Sequence, residues 1–156
     1  ILGWRAAHIG IKSYYVPLAI IYHAESYSLK WSSKKFYWLE RNRKYCILTH
    51  YSKDTYKKMR PYLRQIEFMV WMFYLSKGFF GTKIRAELDI RKNKKHILEK
   101  YQELESKKTI SDSELVKTFP DEIFVPKNVS GITGSRTFNL ILSKLSKKAK
   151  DKILMT

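Results

Sequence analysis

Apolar positions along this chain recur mostly at intervals of three and four, the spacing that gathers side chains on one face of a helix. Leu2, Ala6 and Ile9 follow it at the start, and Gly10 stands where a helix takes a left-handed terminal residue without steric cost, so a short helix should end there. Two runs of aromatic and β-branched residues come next, Ser13 to Val16 and Leu18 to Tyr22. Such residues suit a pleated, half-buried surface, and Pro17 between them cannot donate to a ladder. The expectation is a short two-strand element with an edge strand or a bend at Pro17. Residues 24–33 are polar with aromatic punctuation and read as a loop, with Ser33 the N-cap of a helix from Lys34 to about Tyr51.

The middle of that helix breaks the pattern. Glu40, Arg41, Asn42, Arg43 and Lys44 fill more than a turn with polar groups, while Phe36 to Leu39 and Tyr45 to Leu48 are apolar on both sides. A surface helix would carry one apolar stripe from end to end. The girdle points to a half-buried anion held by arginine forks, or else to a solvated bulge in which Glu40 pairs with Arg43 or Lys44. After a charged connector at 52–58, a helix should start near Arg60 with Pro61 in its first turn and Tyr62, Leu63, Ile66, Met69, Val70, Phe73 and Tyr74 at three-four spacing. From Phe68 to Leu75 the opposite face turns apolar as well, so this half is either buried all round or shared between protein and lipid. Gly78 should end it.

Thr82 to about Lys107 reads as one long charged helix, solvated on most sides, with a thin apolar line at Ile84, Leu88, Ile97, Tyr101 and Leu104. Ser111 and Glu114 have the spacing of a capping box and open a short helix that ends before Pro120. Residues 120–136, with Pro126, Gly131 and Gly134, read as a linker. Residues 137–154 set Phe138, Ile141, Leu142, Leu145, Ala149 and Ile153 against Lys144, Lys147, Lys148, Lys150 and Lys152, a basic amphipathic helix.

Composition adds sign to this picture. The 156 residues are 44% hydrophobic and 15% aromatic, enough for a core, and carry a formal charge of +17. From Lys30 to Arg64, eleven Lys and Arg face only Glu40 and Asp54. Such a surface attracts anions: sugar-nucleotide diphosphate, lipid phosphate, an acidic leaflet or nucleic acid. The most apolar run, Phe68 to Leu75, is far shorter than the roughly 20 residues a spanning helix needs. The single cysteine, Cys46, cannot form an internal disulfide and reads as a small buried hydrophobe. His8, His50 and His96 lack partners at ligand spacing and read as ordinary surface or helix residues. No Ser-His-Asp set, cysteine-rich zinc pattern or glycine-rich phosphate loop is legible.

The residues Leu2, Trp4, Arg5, Gly10, Tyr15, Val16, Pro17, Ala19, Tyr22, His23 and Ser26 together resemble the family 2 glycosyltransferases of GT-A fold, in particular rhamnosyltransferase-like members. The family's Leu-x-Trp-Arg, helix-ending Gly, Tyr-Val-Pro-x-Ala and Tyr-His elements come in the same order. Phe36 to Leu48, FYWLERNRKYCIL, looks like its Leu-x-x-Arg-Asn-Arg helix, and Phe80 to Ser113 like its closing basic segment. The resemblance covers roughly the first 115 residues. It implies an α/β parent fold of Rossmann-like type, of which these residues would be a mainly α-helical part with a two-strand β element near the start.

The resemblance further implies a sugar transfer from a nucleotide-diphosphate donor to a glycan or lipid-linked acceptor, peripherally at the cytoplasmic face of the cell membrane. His23 would ligate a divalent metal, Mn²⁺ or Mg²⁺. Trp4 and Arg5 would border the acceptor, and Arg41, Asn42 and Arg43 would hold substrate phosphate. The family has Asp where Ile1 stands, so its catalytic base and its Asp-x-Asp are expected upstream of Ile1, and no residue from Ile1 onward is expected to be catalytic. Residues 1–58 would be the acceptor side of the transferase domain, 59–119 appended membrane-facing helices, 120–136 a linker and 137–156 the basic helix. Two other classes compete. A nucleic-acid module would use Lys34, Lys35, Phe36, Tyr37 and Trp38, but consecutive aromatics on a helix must mostly face a core, which disfavours it. A non-enzymatic membrane-surface protein would use the last helix and the Met-Trp-Phe run.

Overall fold

The computed structural model describes residues 2–20, 32–121 and 136–155. Helix α1 spans Leu2–His8, α2 Ser33–His50, α3 Lys53–Ser76, α4 Phe80–Lys92, α5 Lys94–Ser106, α6 Asp112–Lys117 and α7 Arg136–Leu154. No strand occurs among the described residues, which corrects the α/β expectation and its two-strand element. At Val16 to Ala19 the chain turns instead, the Ala19 N–H donating to the Val16 carbonyl at 3.0 Å. The composition of Ser13 to Val16 favours a strand, but a strand needs a neighbour to pair with, and none of the described segments is extended beside it. Tyr14, Tyr15, Val16, Leu18 and Ile20 are all left exposed.

The helix ends follow local chemistry. Gly10 and Gly78 have φ of 79° and 71°, a region in which a side chain would be strained, and each stands just past a helix end. The Ser111 and Glu114 pair forms the expected capping box on α6. Two starts differ from the sequence reading by the choice of cap. Ser32, not Ser33, caps α2 through Lys35 N–H, and Ser52 caps α3 through Thr55 N–H at 3.2 Å. Helix α3 therefore begins seven residues before Arg60, with Pro61 in its interior. Pro61 removes one ladder hydrogen bond, and the cost is limited because Lys57, whose carbonyl loses it, is exposed to water.

Asn93 divides the charged stretch into α4 and α5, and its side chain donates to the Asp89 carbonyl at 2.9 Å. Most residues of these two helices are exposed, in keeping with the expected solvation. Lys83, Ala86 and Ile97 are buried where they pack on α2, while Ile84 and Leu88 of the expected apolar line are exposed.

Helix α2 lies against α4 and α5, α3 packs along α7, and α6 seats on α7. One core joins Tyr51, Val116 and Ile153, with Trp4, Ile47, Met59 and Phe119 around it. A second, aromatic locus ties α2 to the far end of α3: Phe36 stacks on Phe79 at 4.7 Å and meets Tyr74 edge-on, whose hydroxyl donates to the Phe36 carbonyl at 2.7 Å. Helix α1 is pinned by the His8 carbonyl, which accepts from the backbone of Thr109 and Ile110 at 2.9 and 3.2 Å. Asp112 accepts from Ser52 N–H at 2.7 Å and Lys108 at 3.0 Å, fixing the start of α3 against α6. Among the described residues no helix is long and apolar enough to cross a membrane.

Candidate functional site

The polar girdle of α2 faces inward onto charges from two other helices. Glu40 is almost wholly buried and takes a two-pronged hydrogen bond from Arg43, Nε to Oε2 at 3.0 Å and Nη2 to Oε1 at 2.8 Å. The second edge of Arg43 reaches Glu67 of α3 at 2.5 Å. Lys83 of α4 is fully buried and donates to Glu40, Glu67 and Glu87, the last at 2.8 Å, while Lys44 pairs with Glu67 at 3.1 Å and with Glu87. Three carboxylates thus meet three cations. Burial alone would push the Glu67 carboxyl up, but hydrogen bonds from Lys83 and Arg43 outweigh it and hold it at about 2. Burial likewise works against the Lys83 ammonium, and the three carboxylates reverse it, raising its pKa above the usual lysine range.

Glu40, Glu67 and Glu87 bring their oxygens within 4.8 Å of one another, close enough to hold a cation. That place is filled by the Lys83 ammonium, which hydrogen-bonds all three. A divalent metal does not fit there without expelling the lysine. His23, the expected metal ligand, lies outside the described residues.

At the start of α2 the surface is of a different kind. A cavity of about 310 Å³ is lined by Ser33, Lys34, Tyr37, Trp38, Thr82 and Arg85. The Arg41 guanidinium lies 4.5 Å from the Trp38 ring centre, and that of Arg85 lies 5.1 Å from Tyr37. Arg41 also meets Asn42 Oδ1 at 3.2 Å and Asp89 at 3.9 Å. Lys34 and Arg85 have no carboxylate partner among the described residues. So Arg41, over the Trp38 ring, stands next to an open basic and aromatic pocket that neither it nor Asn42 lines, whereas Arg43 is committed to the buried ion cluster. Phe36 belongs to the aromatic core and offers no stacking face to a ligand.

Trp4 lies at the other end of α2. Its ring is 4.9 Å from that of His50 and 4.9 Å from that of Tyr51, with His8 stacked at 6.4 Å. His8 and His50, ordinary surface or helix residues by sequence pattern, are both buried, and their rings are 6.5 Å apart. Burial pushes His50 down to about 4, against the pull of its hydrogen bond to the Cys46 carbonyl. Burial also lowers His8, with Lys108 adding to it. Trp4 Nε1 and His50 Nε2 are buried without a hydrogen-bond partner among the described residues. Arg5, one residue along, is exposed. The structure therefore separates Trp4 and Arg5 from Arg41 by most of the length of α2.

Two connected cavities lie between α2 with α4 and α5 on one side and α3 on the other. Their linings share Ile47, Leu48, Tyr56 and Ile90. Sequence reasoning missed this trough and, though it offered the pairing of Glu40 with Arg43 or Lys44, it missed the rest of the ion cluster. The helical spacing of Glu40 with Lys44, and of Lys83 with Glu87, was the available signal for the second. Compared with family models, curated protein sequences and solved structures, the chain matches none.

Proposed function

We propose that these residues form the acceptor-side part of a family 2 type glycosyltransferase, moving a sugar from a nucleotide-diphosphate donor to a glycan or lipid-linked acceptor at the cytoplasmic membrane surface. The observation that carries this reading is the pocket at the start of α2. Lys34 and Arg85 line it with Tyr37 and Trp38, and Arg41 lies over the Trp38 ring beside it, shortly after the segment that contains His23. Sugar phosphates need both kinds of group: ring faces take the C–H surface of a pyranose, and guanidinium forks take phosphate oxygens.

In an inverting transfer a carboxylate removes the acceptor's hydroxyl proton, and the oxygen attacks the anomeric carbon. The bond from that carbon to the diphosphate breaks, and its electron pair leaves with the diphosphate. Cations fixed beside the leaving oxygens lower the barrier because they need no reorganisation as charge develops. Arg41 and Arg85 take that role in this chain. The sequence contains no Asp-x-Asp, and no base is assigned among its residues.

In the protein that carries this chain, nucleotide-diphosphate sugars supplied with glycan or lipid-linked acceptors should yield free nucleoside diphosphate. Arg41→Gln with Arg85→Gln should raise KM for the donor by about tenfold, as expected for lost hydrogen bonds to a charged ligand. A folded protein that releases no nucleoside diphosphate from any common donor overturns the reading.

A further inference from the structure

The trough beside α3 has an apolar floor and a cationic rim, and we infer that it seats a single-chain lipid phosphate, an amphiphile with one hydrocarbon tail and an anionic head. The inference rests on the glycosyltransferase reading only in naming that lipid as the acceptor. The two cavities that form the trough measure about 400 and 410 Å³. Each falls in the range of ~300–1,000 Å³ typical of small-molecule sites. Ile47, Leu48, Tyr56 and Ile90, all half-buried, line both and make the floor continuous.

The rim is positive on both sides. Lys53, Arg91 and Lys94 border one cavity and Arg60 and Arg64 the other; all five are exposed and none has a carboxylate partner among the described residues. The one carboxylate on the lining, Glu67, is already held by Lys83 and Arg43. A soluble anion would answer the rim and leave the apolar floor facing water. A neutral hydrocarbon would answer the floor and leave the cations unused. An anionic amphiphile answers both.

The way in is marked on α3. Arg60, Arg64, Phe68 and Met72 stand at four-residue intervals and so form one inclined ridge along the helix, which runs from cations to an exposed apolar stripe. That order matches a leaflet, with cations at headgroup level and apolar side chains below it. A lipid drawn out along Phe68 and Met72 brings its phosphate to Arg64 and Arg60.

Isothermal titration of the purified protein with geranylgeranyl phosphate, with geranylgeraniol and inorganic phosphate as separate ligands, tests this. One-to-one saturable binding of the lipid phosphate is expected, with the alcohol and inorganic phosphate each at least about tenfold weaker, because each keeps only one half of the recognition. Arg60→Gln with Arg64→Gln should weaken the lipid phosphate by about tenfold while leaving Tm unchanged, since both side chains are exposed. Ile90→Trp, which fills the floor, should weaken the lipid phosphate and leave inorganic phosphate unaffected. Non-saturable uptake, equal binding of the alcohol, or indifference to the arginine changes overturns the proposal. Displacement of the probe by an acidic amphipathic peptide at equal concentration also overturns it, in favour of a protein partner. Lipid binding without sugar transfer removes the enzymatic reading and leaves the trough. Transfer to a lipid acceptor that is insensitive to all three substitutions removes the trough and leaves the enzyme.

Discussion

Lys83 and Glu40 form an ion pair sealed from water: the ammonium donates to the carboxylate, and their side chains are 0% and 2% exposed. Each ion alone would be costly to bury, and what makes the pair tolerable is that the surrounding cluster holds equal numbers of positive and negative groups. It also joins three helices, because Glu40 comes from α2, Glu67 from α3 and both Lys83 and Glu87 from α4. Lys83→Met should therefore cost about 3–5 kcal/mol of stability, the usual penalty for leaving one side of a buried pair uncompensated. Urea unfolding monitored by circular dichroism measures it, and a loss below about 1 kcal/mol would mean that water reaches the cluster.

Arg41 and Arg43 are two residues apart in sequence and should behave as opposites. Arg43 serves Glu40 and Glu67 inside the cluster, while Arg41 lies on Trp38 at the border of the pocket. Arg43→Gln is expected to lower Tm clearly and to reduce the proposed transferase activity only through lost folded protein. Arg41→Gln, which loses contacts to Trp38 and Asp89 but leaves no buried carboxylate unpaired, is expected to lower Tm less than Arg43→Gln and to raise KM for the proposed sugar-nucleotide donor. Thermal unfolding and donor kinetics on both variants separate the roles; matching profiles would show that the two arginines act together.

The histidines set a pH dependence whose direction is fixed by burial. His50 is held at about 4 in the folded protein against about 6.5 when unfolded, and His8 is lowered in the same direction. Between these values the unfolded chain binds protons that the folded one refuses, so stability is full above about pH 6.5 and falls as pH drops towards 4. Lys108 presses the same way at His8 and Arg5 at His50, while Asp112 and Glu105 oppose it at His8. Glu67 loses its contribution lower, as pH falls from the ordinary carboxylate value towards 2, so the two effects are separable. His50→Phe should flatten the decline between pH 6.5 and 4. An unchanged slope in that variant would assign it to other groups.

Local signals are well written in the sequence and long-range ones are not. Gly10, Gly78 and the Ser111 and Glu114 box each act within a few residues, and each marks a helix end in the structure. Pro61 misleads because a first-turn proline is the commoner case, while the nearer cap at Ser52 depends partly on Asp112, sixty residues away. The girdle on α2 is legible as an anomaly, but its partners Glu67, Glu87 and Lys83 come from other helices that only packing brings near. The strand-like composition of Ser13 to Val16 states a preference of side chains, and a strand also requires a paired edge that the described residues do not supply.

Membrane attachment is expected to rest on α3 rather than on the last helix. On that last helix, α7, Ala149 and Ile153 are buried against the body of the protein, leaving only Leu140 and Ile141 of its apolar face exposed among the described large side chains. The exposed stripe lies instead on α3, where Phe68, Met72 and Leu75 are 67%, 50% and 55% exposed while Tyr74 on the opposite side is buried. Arg60 and Arg64 extend that stripe at the level of a headgroup, each worth about 1 kcal/mol near an anionic leaflet. Flotation with vesicles rich in phosphatidylserine should recover the protein at low salt and release it near 1 M salt, where screening acts within about 3 Å. Phe68→Ser with Met72→Ser should weaken recovery even at low salt, because the apolar contribution is lost whatever the ionic strength, and circular dichroism should show this double variant folded because both positions are exposed. Recovery unaffected by these changes, yet abolished by neutralising Lys147 and Lys148 on α7, would return the membrane face to the last helix and leave the α3 stripe to some other contact.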